Sequence, residues 1–160
     1  MQIIIPMTGN GSRFVAAGYK DLKPLIEVQG RRMVDWIVKG MYRASDSFTF
    51  ICRAEHLNSI TWLENYLKSL APNVKIFAVN NWTKLGPVAD VIRAQKTIDD
   101  QNPVIINYCD FYMEWNCEAF IMKQQNVTAM ELYLATRDFI QIFCLKRIFM
   151  QAVLLIMMKI

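Results

Sequence analysis

Strand-like and helix-like segments alternate along the first 125 residues, and this alternation limits the possible folds more than any other feature. Gln2–Pro6 is an isoleucine run closed by proline, apolar at successive positions rather than at every second one. Such a run suits a short strand buried on both faces. Ser47–Cys52, Val74–Val79 and Val104–Asn107 are β-branched or aromatic runs of similar length, and they predict three more strands. Between the runs the apolar period changes. Met33–Arg43 has apolar residues at 33, 34, 36, 37, 38, 41 and 42, and Leu57–Leu70 has them at 57, 60, 63, 67 and 70. Both spacings predict helices. Pro87 fits the first position of a helix running to about Ile98, and Trp115–Lys123 suits a further one. Strands joined by helical crossovers pair in parallel. The expected fold is therefore α/β, a three-layer sandwich with a mostly parallel, Rossmann-like sheet.

Ligands of such sheets bind where the loops gather, at the carboxyl ends of the strands. Two loops are marked in this way, Met7–Pro24 after the first strand and Tyr108–Glu114 after the fourth. The first contains Gly9-Asn10-Gly11-Ser12-Arg13. Glycines let backbone amides converge on an anion, and an arginine nearby adds a forked donor for phosphate oxygens. The string is not a Walker loop, and Phe14 stands where a dinucleotide fingerprint would need its third glycine. By itself the pattern also suits a tight turn that holds no ligand.

The pairing of this loop with Lys23-Pro24-Leu25 narrows the choice. P-M-T-G-N-G-S-R-F from Pro6 to Phe14, followed by K-P-L from Lys23, resembles the opening motif of the sugar-phosphate nucleotidylyltransferases. That motif is close to (P/L)-(A/M)-(A/G)-G-x-G-x-R-(F/L), then K-P-(L/M). The similarity continues in register through Ile26-Glu27-Val28-Gln29-Gly30 and the segment holding Met33, Asp35 and Trp36, with Arg32 where the family usually has proline. The resemblance implies a nucleotide-diphospho-sugar transferase type of fold. It implies transfer of a nucleoside monophosphate from a nucleoside triphosphate to a sugar phosphate, with release of pyrophosphate. Gly9, Asn10, Gly11 and Ser12 would then bind the nucleotide, and Arg13 and Lys23 would act on the reacting phosphates.

Thr83 and Gly86, in Thr83-Lys84-Leu85-Gly86-Pro87, fall where the family recognises the base; a strand-to-helix turn that needs glycine explains the same residues. Asp110 falls where the family places an aspartate that binds Mg2+, although a solvated or helix-capping aspartate also fits that position. A glycosyltransferase using nucleotide-sugars is a weaker alternative, because Asp110-Phe111-Tyr112 does not supply a D-x-D metal motif.

Charge and cysteine usage set further bounds. Residues 1–103 carry 13 Lys+Arg against 9 Asp+Glu, and residues 104–160 carry 5 of each. This mild, dispersed positive balance suits an anionic small substrate and gives no clustered basic face for nucleic acid. Cys52, Cys109, Cys117 and Cys144 form no C-x-x-C pair, and His56 is the single histidine, so a zinc site is not expected. The start, M-Q-I-I-I-P, lacks a basic region ahead of its apolar run and does not read as a signal peptide. A cytoplasmic location and buried thiols are expected. Phe139–Met158 is apolar but contains Gln141, Lys146, Arg147 and Gln151, which argues against a membrane span.

All 6 glycines and all 5 prolines lie between Pro6 and Pro103. The family resemblance stops near Gln125, which divides the chain into a nucleotide-binding part, residues 1–125, and an unmatched tail, residues 126–160. Codons for Val127 to Gln141, read from each third base, permit D-G-N-G-A-I-P-C-Y-T-G-F-H-P-D. That string resembles the D-G-A-I…T-G-F-H-P segment of part of the family. The expectation is a frameshift near Gln125, leaving the domain incomplete at the C-terminus and the sugar-selecting residues missing. A non-catalytic nucleotide-binding remnant is then the alternative to an active enzyme.

Overall fold

The computed structural model describes residues 1–99, 102, 104–112, 114, 116 and 119, together with the backbone of 143–145. In chain order the elements are β1 (Gln2–Pro6), α1 (Ser12–Ala16), β2 (Glu27–Val28), β3 (Arg31–Arg32), α2 (Met33–Met41), β4 (Ser47–Arg53), α3 (Ala54–Ser59), α4 (Leu63–Ser69), β5 (Val74–Val79), α5 (Pro87–Arg93), β6 (Val104–Ile106) and β7 (Phe143–Leu145). Short 3-10 turns lie at Lys23–Leu25 and Gln95–Thr97.

The main sheet has the order β5-β4-β1-β6-β7, with β7 antiparallel to β6 and the other neighbours parallel. Ile4 of β1 stands opposite both Thr49 and Ile106, so the isoleucine run is the central strand. Its side chains alternate between two apolar layers. Ile3 and Ile5 pack with Phe48 and Phe50 beneath Val34 and Ile37 of α2 and Leu63 and Leu67 of α4. Ile4 and Ile51 face Val91 and Ala94 on the other side. With both faces covered, no position of the strand needs to be polar, which is why the run is continuous. The three-layer α/β arrangement is the one expected.

The strand order also creates a crevice. From β1 the chain moves outward through β4 to β5, then returns to the opposite side of β1 as β6. Connections therefore diverge between β1 and β6, which makes the carboxyl ends of these two strands the switch point of the sheet.

The loop after β1 contains the short helix α1, a single helical turn. Several expected elements differ in detail. The helix expected over Leu57–Leu70 is broken into α3 and α4, because Ile60 leaves helical geometry at φ −112, ψ 82. Ile60 and Thr61 are both β-branched, which weakens a helix at that point. The helix starting at Pro87 ends at Arg93 and continues as a 3-10 turn. A hairpin of β2 and β3 was not anticipated; Gln29 and Gly30 make its turn with both φ angles positive, the geometry of a type I′ turn. The helix expected at Trp115–Lys123 and the tail, apart from the backbone of 143–145, lie outside the described residues.

Candidate functional site

The first loop begins one residue beyond the ladder. Met7 N–H still donates to the carbonyl of Ile51 at 2.8 Å, and Thr8 is buried behind it. Thr8 is held at two points. Its carbonyl accepts from Arg53 Nε at 2.6 Å, and its hydroxyl donates to Asp90 Oδ2. Arg53 ends β4 and is only 7% exposed. It donates also to the side-chain oxygen of Asn10 and, at 2.8 Å, to Glu55, and its guanidinium lies 3.5 Å from the ring centroid of Trp82. A buried guanidinium has five fixed N–H donors and must meet acceptors in several directions. Here two of those acceptors, Thr8 and Asn10, come from the glycine loop, so the loop follows the arginine. The hydrogen bond from Arg53 holds the Glu55 carboxyl below its usual range.

Gly11 adopts the left-handed conformation, with φ 59, and leads into α1. A Cβ at Gly11 would stand 3.2 Å from Cβ of Lys23, so a side chain there would be strained in conformation and crowded in space. Lys23 opens a 3-10 turn in which Pro24 and Leu25 are buried, and this anchors its base. Its ammonium reaches Asp110 Oδ2 at 2.5 Å and lies 5.7 Å from the Phe14 ring centroid.

Asp110 is presented by a turn just after β6. Asn107 shapes that turn: its amide donates at 3.1 Å to the carbonyls of Tyr108 and Phe111, while its backbone N–H donates to Ile4 at 3.0 Å. The Lys23–Asp110 pair thus spans the two loops that flank the switch point. Cys109, beside it, is buried, and that burial pushes its thiol up to about 12. Cys52 is shifted to a similar value by burial as well, so neither is a ready nucleophile.

The third segment is the Thr83 loop. Gly86 precedes α5 at φ 90 and ψ 169, a conformation open essentially to glycine alone. The turn explanation for Gly86 therefore holds on backbone grounds, whatever else the loop does. Thr83 Oγ1 accepts from Arg93 at 2.8 Å, and Arg93 in turn donates to Asp90 Oδ1 at 2.9 Å. Thr83 and Thr8 are connected through these two side chains. Arg13 and Ser12 are exposed on α1, and among the described residues Arg13 has no ion pair.

Of the residues expected from sequence, the structure brings Lys23 to Asp110, Gly11 to Lys23, Asn10 to Arg53 and Thr83 to Arg93. Arg53, Asp90, Asn107 and Trp82 were not anticipated. The available signals were a lone cation ending an apolar strand, S-F-T-F-I-C-R, and a lone carboxylate within the apolar stretch V-A-D-V-I. Among the described residues no group of three or more His, Cys, Asp or Glu forms a metal cluster. Mg2+ is usually held by one or two carboxylates together with substrate phosphates. Among the described residues, Asp110 offers one such carboxylate just after β6.

No protein-family model and no curated protein matches this chain. Solved structures do match. A nucleoside-diphosphate-sugar pyrophosphorylase from Vibrio cholerae has 25% sequence identity and a TM-score of 0.52, over 68% of this chain and 47% of its own. A putative glucose-1-phosphate thymidylyltransferase from Bacillus anthracis has 15% identity and a TM-score of 0.60, over 79% and 50%. HddC from Yersinia pseudotuberculosis, solved with GMP-PN, has 18% identity and a TM-score of 0.59, over 78% and 54%. The fold is the sugar-phosphate nucleotidylyltransferase-like fold. The chain spans about half the length of the structures it matches.

Proposed function

We propose that this chain carries the nucleotide-binding half of a nucleotidylyltransferase, which transfers a nucleoside monophosphate from a nucleoside triphosphate to a sugar phosphate or a similar phosphorylated small molecule. One observation carries the reading: Lys23 and Asp110 meet at 2.5 Å across the switch point, beside a glycine loop suited to phosphate. The acceptor phosphate is already an anion and attacks the α-phosphorus directly. A new P–O bond forms, the bond to the β-phosphate oxygen breaks, and pyrophosphate leaves with that electron pair.

No general base is needed. Catalysis rests on holding two repelling anions in line and offsetting their charge. Backbone amides of Gly9, Asn10 and Gly11, with Ser12 beside them, would hold the triphosphate. Lys23 would act as a point charge at the reacting phosphates, and Arg13 would contribute a fork from α1. Asp110 would hold Mg2+, which would supply charge neutralisation for the phosphates. Thr83 and Gly86 would border the base. The setting we assign is cytoplasmic synthesis of precursors for surface polysaccharide, with which the buried thiols of Cys52 and Cys109 agree.

The second reading is a remnant that binds nucleotide without turnover. Pyrophosphate release by the purified full chain, with a panel of nucleoside triphosphates and sugar phosphates, separates the two. Release supports the enzyme. Saturable nucleotide binding without release supports the remnant, and absence of both refutes nucleotide recognition.

A further inference from the structure

Asp90 is 1% exposed, and a carboxylate that deep is stable only when its charge and lone pairs are met. Each of its oxygens is taken by a different partner. Oδ2 accepts from Thr8 of the glycine loop, and Oδ1 accepts at 2.9 Å from Arg93, whose other terminal nitrogen holds Thr83 at 2.8 Å. We infer that Asp90 is a positioning residue that couples the loop proposed to bind phosphates to the loop proposed to border the base.

The geometry at Thr8 gives the coupling a specific effect. The Thr8 carbonyl is fixed by Arg53, and it shares one planar peptide with the Gly9 N–H, which therefore points the opposite way. Gly9 is exposed on that peptide, and the space where its side chain would be is open to 4 Å. Asp90 secures the same residue through its hydroxyl, so the direction of the Gly9 amide depends on both bonds. Because Arg93 bridges the carboxylate to Thr83, a disturbance of either loop passes to the other through the buried Asp90 and the half-buried Arg93. In function, this extends the nucleotide-binding reading above; the coupling itself can be measured without a nucleotide.

Hydrogen–deuterium exchange of the full chain, without ligand, tests it. Thr8→Val should speed amide exchange about five- to tenfold in residues 7–11 and also in residues 80–86, the scale of one lost hydrogen bond. Thr8→Ser keeps the hydroxyl and should restore both segments to within about twofold. Thr83→Val lies in an exposed loop, removes no buried group, and should speed exchange in residues 7–11. Effects confined to the mutated loop would overturn the coupling. Should Thr8→Val fail to fold, Thr83→Val decides alone. Titration of the same proteins with nucleoside triphosphates reads the other claim: wild type that binds none refutes nucleotide recognition, whereas the exchange pattern still decides for or against Asp90.

Discussion

Gly11 stands beside Lys23 so closely that a methyl group on Gly11 would lie 3.2 Å from Cβ of Lys23. The turn that carries the lysine therefore leaves little room for a side chain at the residue that precedes α1. Gly11→Ala meets two costs, a left-handed backbone at φ 59 and a crowded Cβ. We expect a loss of about 1–2 kcal/mol in urea unfolding. Triphosphate affinity should also fall, because Lys23 must shift. An unchanged unfolding midpoint would show that the contact is slack.

Lys23 and Asp110 form an ion pair with side chains 24% and 37% exposed. Pairs this open contribute about 0–1 kcal/mol. Lys23→Ala and Asp110→Ala should therefore leave the urea midpoint nearly unchanged while abolishing pyrophosphate release or, for a remnant, weakening triphosphate binding. Near-normal activity or binding in either variant would remove that residue from the proposed machinery.

Arg53 is the reverse case. It is buried, and its bonds to Thr8, Asn10 and Glu55 tie β4 to the glycine loop. Arg53→Gln should cost about 2–3 kcal/mol, the scale of hydrogen bonds to a charged group whose partners are left unmet. Arg53→Lys should recover little, since one ammonium cannot reach three separated acceptors. Full recovery by lysine would show that charge alone matters at this position.

His56 follows Arg53 closely, and burial followed by the charge of Arg53 holds its pKa below the ordinary value. The unfolded chain then takes up a proton more readily than the folded one. Stability from this group is complete above about pH 6.5 and is lost as pH falls through that value toward the lowered folded pKa, with a slope of at most about 1.4 kcal/mol per pH unit. Urea midpoints measured from pH 7.5 down to 5.5 should drop, and His56→Gln should flatten that part of the curve. Equal curves for the two proteins would contradict this assignment.

The sequence beyond Gln125 makes a prediction about DNA rather than protein. If a frameshift produced residues 126–160, the coding strand read from the third base should give a string close to D-G-N-G-A-I-P-C-Y-T-G-F-H-P-D and then continue like the family. A downstream frame without glycine, proline or family-like segments rules the frameshift out.

Much of the fold was legible because burial repeats with a period. Ile3, Ile4 and Ile5 mark a strand covered on both faces, and the residues of α2 mark a helix covered on one. The break between α3 and α4 was hidden, since Leu57, Ile60, Leu63 and Leu67 keep helical spacing through it. The β2–β3 hairpin is too short for any period to register.

The same contrast applies to the site. Gly11 and Lys23 were recognisable within one local string, because the conformation of a loop and its flanking turn leaves marks in adjacent residues. Asp90 and Arg53 left no such mark. Asp90 meets Thr8 across 82 positions and Arg53 meets it across 45, so their roles exist only once three parallel strands bring those ends together. Local chemistry is determined by neighbours in the chain, and the sequence records it directly. The pairing of a buried charge depends on which distant group the packed core places within 3 Å, and only the tertiary structure decides that.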